Sequence, residues 1–169
     1  MTGIGELRDG LVESWLRARD GVIKQVRTLS EDQLCWLPGP GARTGIQIAR
    51  HIADAGSGLT EYAATGTRPK PTPVDDPGTR AEVIAALEVG RGEIEARVRS
   101  LSEEQLLGKV QALVGGETTR FNFLAFAYAH ENYHWGQLGL CARAGGEIPE
   151  LTKSIDARRK AAAGNSAAG

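Results

Sequence analysis

The side chains best suited to chemistry are two histidines in His130-Glu131-Asn132-Tyr133-His134, within the apolar run from Phe121 to Cys141. On a helix a spacing of four places them one turn apart and about 40° from each other on one face. That spacing suits a shared metal ion. The chain has one further histidine, His51. If it lies on a facing helix, three inward imidazoles can converge across a bundle. Three neutral imidazoles leave one coordination position open for water or substrate, as in a catalytic rather than a closed structural site. Such a donor set suits zinc, nickel, copper and iron alike.

The same five residues spell the H-E-x-x-H of zinc peptidases, in which the glutamate, here Glu131, is the general base. That reading ranks second, because a third ligand is needed downstream and no histidine follows His134. Glu147 or Glu150 would have to serve, and no set of strands is evident to hold an extended peptide. Glu131 falls about 100° from His130, between Leu138 and Trp135, where a charge needs a partner. Either it pairs with an arginine at a bundle edge or dimer seam, or it works beside the metal as a hydrogen-bond acceptor or catalytic base. Gln137, one turn beyond His134, either orients a ligand or packs. Cys141 shares the histidine face but lies about 10 Å along the axis from His134, too far for a ligand, and belongs to the core.

These residues must be positioned by helices. Ile4, Leu7, Leu11, Trp15, Ala18, Val22, Val26 and Leu29 recur at threes and fours and predict a first long helix, despite Gly10 and Gly21. Ser30-Glu31-Asp32-Gln33 has capping-box spacing and starts a short helical turn ending near Cys35, after which Leu37-Pro38-Gly39-Pro40-Gly41 is a loop. The second long helix runs from an N-cap at Thr44 to Thr65, stops at Gly66, and carries His51 at the edge of its apolar face. Thr67 to Gly78 holds four prolines and reads as a crossover. The third helix runs from about Thr79 to Leu101 on the stripe Val83, Leu87, Gly90, Ile94, Val98 and Leu101. Gly90 there implies either the close approach of another backbone or a weakened helix.

Leu101-Ser102-Glu103-Glu104-Gln105-Leu106 nearly repeats Leu29-Ser30-Glu31-Asp32-Gln33-Leu34, and fifteen residues separate both His51 from Gly66 and His130 from Gly145. Each half is a long helix, a capped turn, a loop and a histidine-bearing helix closed by glycine, which implies a pseudo-twofold bundle. A small hairpin or irregular turn is expected over Val110 to Thr119, and the fourth helix runs from about Phe121 to Ala144. On it Phe123, Phe126, Ala127, Gln137, Leu138 and Cys141 share the histidine face, with Asn132, Gly139 and Arg143 opposite. The core pattern ends at Thr152, giving one domain over 1–152 and a partly disordered tail over 153–169.

Composition sets the outer bounds. The 169 residues are 41% hydrophobic and 24% charged, enough for one domain with a real core. A formal charge of −1 with no basic block argues against nucleic acid. No signal-like or membrane-spanning apolar stretch is present, so a soluble cytoplasmic protein is expected. Cys35 and Cys141 form neither a disulfide framework nor a thiolate metal cluster, and two buried or half-buried thiols are expected.

Ile48-Ala49-Arg50-His51-Ile52-Ala53-Asp54, followed by His130-x-x-x-His134-Trp135-Gly136-Gln137-Leu138 and Ala144-Gly145-Gly146-Glu147-Ile148-Pro149, resembles the DinB/YfiT-like superfamily over about residues 4–152. The resemblance implies an all-α four-helix bundle in up-down-down-up order, to which the sequence adds the crossover between the second and third long helices and the short extra turns after the first and third. It implies a homodimer and a divalent metal, zinc or nickel among others, held by His51, His130 and His134. It also implies relatives that are transferases using low-molecular-weight thiols, and a thiol-dependent isomerase. The leading expectation is therefore a metal-dependent transferase that activates a small thiol for attack on a small-molecule substrate. The alternatives are a hydrolase using metal-bound water, assisted by Glu131 or Tyr62, and a metal-binding stress-related protein without turnover. No positively charged pocket for a cosubstrate is visible in the sequence.

Overall fold

The periodic stretches become helices in the computed structural model, which describes residues 3–67 and 75–166. In chain order they are α1 (Ile4–Thr28), α2 (Glu31–Cys35), α3 (Gly45–Thr65), α4 (Arg80–Arg99), α5 (Glu103–Leu107), the strands β1 (Lys109–Gln111) and β2 (Glu117–Thr119), α6 (Arg120–Ala144) and α7 (Glu150–Ser166). Reciprocal capping boxes start α2, α3, α4 and α5, at Ser30/Gln33, Thr44/Gln47, Thr79/Glu82 and Ser102/Gln105. Each satisfies two orphan backbone donors at a helix start. α3 ends at Gly66, whose φ of +77° a side chain would disfavour.

Cross-helix contacts fix the directions. Arg8 donates to the Arg99 carbonyl, Asp20 accepts from Arg91 and Glu88 accepts from Arg27, so α1 and α4 run antiparallel. Trp15 and Arg19 reach Glu131, and Gln25 reaches the Leu138 carbonyl, so α1 and α6 run parallel. His51 meets His130 and Tyr62 meets Phe123, which makes α3 antiparallel to α6. The order is up-down-down-up, with α3 and α4 parallel neighbours. Parallel neighbours need a connection along the bundle; the crossover expected between them falls largely at 68–74, outside the described residues.

The predicted stripe of α4 is buried in full: Val83, Leu87, Gly90, Ile94, Val98 and the following Leu101. On α1 the outcome is mixed. Trp15, Ala18, Val22 and Val26 are buried as expected, but Leu7 is 49% exposed because the apolar face there turns toward Val12 and Leu16. Cys141 is buried as expected, whereas Cys35 is exposed at the end of α2, too short a helix to turn every residue inward. Gly139 is buried against Pro149, since the chain returns over α6 to begin α7.

The helix over Glu150–Ser166 was not foreseen by periodicity. Its Ala, Lys and Arg content gives intrinsic helix propensity without an apolar stripe. Its first turn docks on the bundle: the Glu150 backbone N–H donates to Gln25, and its carboxylate pairs with Lys24 and Lys153. The hairpin is present, with Val110 opposite Thr118, and the Tyr62 hydroxyl donates to the Gln111 carbonyl at 2.9 Å. Among the described residues no helix is long and apolar enough to cross a membrane.

At the bundle centre lies an ion pair. Arg19 is fully buried and grips Glu131, 2% exposed, with Nε and Nη2 each 2.7 Å from a carboxylate oxygen. Trp15 Nε1 donates to the same carboxylate at 2.6 Å. The guanidinium also donates to the Ile52 carbonyl of α3 and the Leu87 carbonyl of α4, so one side chain joins all four long helices. Room for it comes from missing side chains: a Cβ at Gly56 would collide with Nη2, and one at Gly90 would lie 3.1 Å from Nη1. Gly90 therefore marks a close approach, but of side chains rather than of a backbone: the Ser57 hydroxyl would lie 2.9 Å from its Cβ and the guanidinium 3.1 Å.

Removing one member of this pair leaves an uncompensated buried charge. Glu131→Leu is expected to cost about 3–5 kcal/mol in urea unfolding, and Arg19→Met combined with it to cost less than the single change. A Glu131→Leu protein as stable as the parent would remove the pair from its central place.

Candidate metal centre

Antiparallel packing of α3 on α6 brings the three histidines together. His51 emerges about two turns into α3, and His130 and His134 from successive turns of α6. Their Nε2 atoms converge: His51 to His130 is 3.3 Å and His134 to His130 is 3.2 Å, with all three ligand atoms within 4.8 Å of one another. A tetrahedral ion with bonds of about 2.0–2.1 Å separates its nitrogens by about 3.3 Å. The spacing thus fits a metal.

Hydrogen bonding does not account for it as well. Gln137 Oε1 lies 2.7 Å from His134 Nδ1, while Gln137 Nε2 donates to the Tyr133 hydroxyl. With the amide in that orientation, His134 carries its proton on Nδ1 and turns a lone pair toward the cluster. His130 Nε2 has either one proton or one lone pair. It cannot donate to His134 and accept from His51 at once, so a cation is the simplest common partner for the three nitrogens.

The electrostatics favour neutral imidazoles. Burial holds His51 and His130 at about 4, well below the usual histidine range. Positive charge on Arg43 and on the neighbouring imidazoles pushes both the same way; Asp54 opposes this at His51. His134 is also lowered, chiefly by burial and against its bond to Gln137. Lone pairs are therefore available in mildly acidic solution.

Of the three histidines, His134 lines an open cavity of about 390 Å³, together with Pro38, Gly41, Ala42, Arg43, Ile48, Tyr133, Gln137 and Leu140. None of these is a carboxylate. Asp54, near His51, is held by Arg50 at 2.9 Å. Phe126, expected on the inward face, is 46% exposed and lies beside His130, which places the site at the bundle edge rather than its centre.

Glu131, the expected catalytic residue, points elsewhere. Its oxygens accept three hydrogen bonds, from Arg19 and Trp15, and among the described residues it has no bond to a histidine. The arginine partner foreseen for it lies in the core, not at an edge. Tyr62 is likewise engaged, with Gln111. Of the downstream glutamates a peptidase reading would need, Glu150 is paired with two lysines and Glu147 is exposed. Arg43 was missed by sequence reasoning, for it sits in a Gly/Pro loop with no periodic pattern.

The family profile of the DinB superfamily matches residues 14–138. Among solved structures, YfiT from Bacillus subtilis, described as a probable metal-dependent hydrolase with an unusual four-helix bundle topology, aligns with a TM-score of 0.71 at 18% identity, covering 84% of this chain and 89% of that one. A DinB-like protein from Bacillus subtilis aligns at 0.67 with 22% identity, covering 83% and 95%. One from Bacillus cereus aligns at 0.63 with 21% identity, covering 83% and 94%. At these identities the likeness is one of fold. No curated protein matches the chain.

Protein purified without an affinity tag is expected to carry about one divalent ion per chain by elemental analysis, and His51→Ala to lose it. Full occupancy in that variant would overturn the three-histidine site. The metal-free protein gives a second check. Its histidine pKa values are lowered on folding, so the unfolded chain binds protons first, and stability is lost as pH falls from about 6.5 through about 4. Urea midpoints across that window should fall less steeply for His130→Ala than for the parent.

Proposed function

The chain belongs to the DinB superfamily, and from that premise we propose that it is a metal-dependent transferase acting on a small thiol. His51, His130 and His134 hold the divalent ion, and zinc or nickel is the ion we assign, since imidazole suits both. Bound there, the ion supplies an open position for a thiol sulfur and favours its thiolate near neutral pH. Gln137 fixes the proton of His134 on Nδ1 and keeps Nε2 turned inward. The Arg19–Glu131 pair braces the helices that carry the ligands, a positioning role for Glu131 in place of that of a base. Ile48, Tyr133 and Leu140 give the cavity apolar walls for a small electrophile, and its opening lets the thiol proton leave to water.

The observation that carries this reading is that, among the described residues, no free carboxylate lines the cavity, with Glu131 and Tyr62 both engaged elsewhere. Hydrolysis benefits from a base that takes a proton from water. A thiol, with an ordinary pKa of about 8.5, needs less help. Metal-dependent hydrolysis is the second reading, favoured by the description of YfiT.

Metal-loaded protein with a small thiol and an alkylating electrophile should consume thiol faster than buffer, and His130→Ala should abolish the gain. Ester or amide hydrolysis without added thiol, lost in the same variant, would replace the transferase by a hydrolase. Neither activity over a broad panel would leave a metal-binding protein without turnover.

We also propose a homodimer through the outer face of α6. Phe126, Tyr133 and Leu140 are 46%, 64% and 50% exposed and recur at sevens, the spacing of a helix seam, with Ala129 and Gly136 exposed between them; Tyr133 and Leu140 also wall the cavity, so the second copy would border it. Light scattering should give twice the chain mass for the parent and a monomer for Ala129→Arg; a monomeric parent would overturn this assembly.

A further inference from the structure

Arg43 is the cation the proposed reaction leaves unused. It lies in the loop between α2 and α3, where Pro40 and Gly41, φ +75°, form a turn closed by the Ala42 N–H donating to the Gly39 carbonyl at 3.1 Å. Proline followed by a glycine of positive φ is the pattern of a type II turn, so the loop is held rather than loose. Thr44 then caps α3. Arg43 is thus fixed between a turn and a helix start, half-buried, with its side chain on the cavity that His134, Gln137 and Tyr133 also line.

Arginines in this chain are mostly paired. Arg19, Arg50, Arg91 and Arg97 each grip a carboxylate, and Arg120 donates to the carbonyls of Ala63 and Gln105. Arg43 has no hydrogen bond or ion pair among the described residues. It nonetheless shares the cavity wall with His134 and Gln137. An unpaired guanidinium beside a cation-binding cluster is electrostatically unfavourable by itself. With a divalent ion in place the cavity would combine two cationic centres and no lining carboxylate, and an anionic ligand relieves both.

We infer that Arg43 is a specificity residue that binds a carboxylate on the ligand whose thiol occupies the metal position, so that the substrate class is a small thiol acid. This rests on the thiol reading above. A planar guanidinium matches a carboxylate with two parallel N–H donors, which a single ammonium cannot reproduce. The cavity supplies the rest of the fit, since its volume of about 390 Å³ suits a small molecule spanning from His134 to the loop. The apolar walls of Ile48 and Leu140 lower the local dielectric and strengthen the contact.

The test uses the full chain loaded with cobalt(II), whose absorption reports both the metal site and sulfur bound to it. The probes are 3-mercaptopropionate and its methyl ester, equal in donor and spacer but differing in charge. The parent should bind the acid at least about tenfold more tightly than the ester, as expected for hydrogen bonds to a charged group. Arg43→Gln should keep its cobalt spectrum and ester affinity but lose the preference, and Arg43→Lys should retain part of it. Equal binding of acid and ester by the parent, or a preference that survives Arg43→Gln, overturns the role of Arg43 while leaving the thiol reading intact. A cobalt-loaded parent that shows no sulfur-to-metal band with either probe overturns the thiol reading and this inference with it. Failure to take up cobalt at all overturns the metal site beneath both.

Discussion

The bundle is organised around a charge pair placed where charges are most expensive. A buried guanidinium and carboxylate lose much of their hydration, and only tight geometry with further hydrogen bonds offsets that cost. Here the geometry is bidentate, Trp15 adds a third donor to the carboxylate, and backbone carbonyls of α3 and α4 take up remaining guanidinium hydrogens. Apolar packing alone tolerates a helix that slides by a fraction of a turn. A network with directional partners on every long helix does not, and this restricts how α3 can sit against α6.

That restriction reaches the histidines through the chain itself. Glu131 is next to His130, and the Ile52 carbonyl that Arg19 holds belongs to the residue after His51. Each histidine-bearing helix is therefore clamped beside its imidazole, on its inner side, while His134 lines the edge cavity. The division of labour explains why one helix can hold both a committed carboxylate and a pair of histidines. Directional bonds are concentrated in the core, and the imidazole nitrogens are left nearer the rim.

The parts legible in the sequence were those with a period or a cap. The α4 stripe, the start and stop of α3 and the short capped helices are local, because threes, fours and the Ser/Thr-x-x-Gln spacing are set within one element. The histidine cluster was legible for a related reason: two of its members share a helix, and only one long-range contact had to be supposed. Arg19 was not legible. It lies between apolar residues, as many solvated arginines on amphipathic helices do, and its burial depends on Gly56, Gly90 and Glu131 on three other helices. Arg43 escaped notice because loop residues carry no periodicity. Helix α7, with weak amphipathicity, announced itself only through composition, and Leu7 and Cys35 show that a residue near an element's end can match the pattern and still face solvent.

The two glycines that admit Arg19 tie distant positions together in evolution. A side chain at Gly56 is compatible with the bundle only if the guanidinium is gone, and losing the guanidinium strands Glu131 and opens a space that glycines cannot fill. No single substitution leads from this core to an apolar one without passing through an intermediate that is either overfilled or hollow and charged. Sequences that keep the fold should therefore hold Arg19, Gly56, Gly90 and Glu131 together or replace them as a set. The charged core, costly as it is, becomes a state that gradual drift has difficulty leaving.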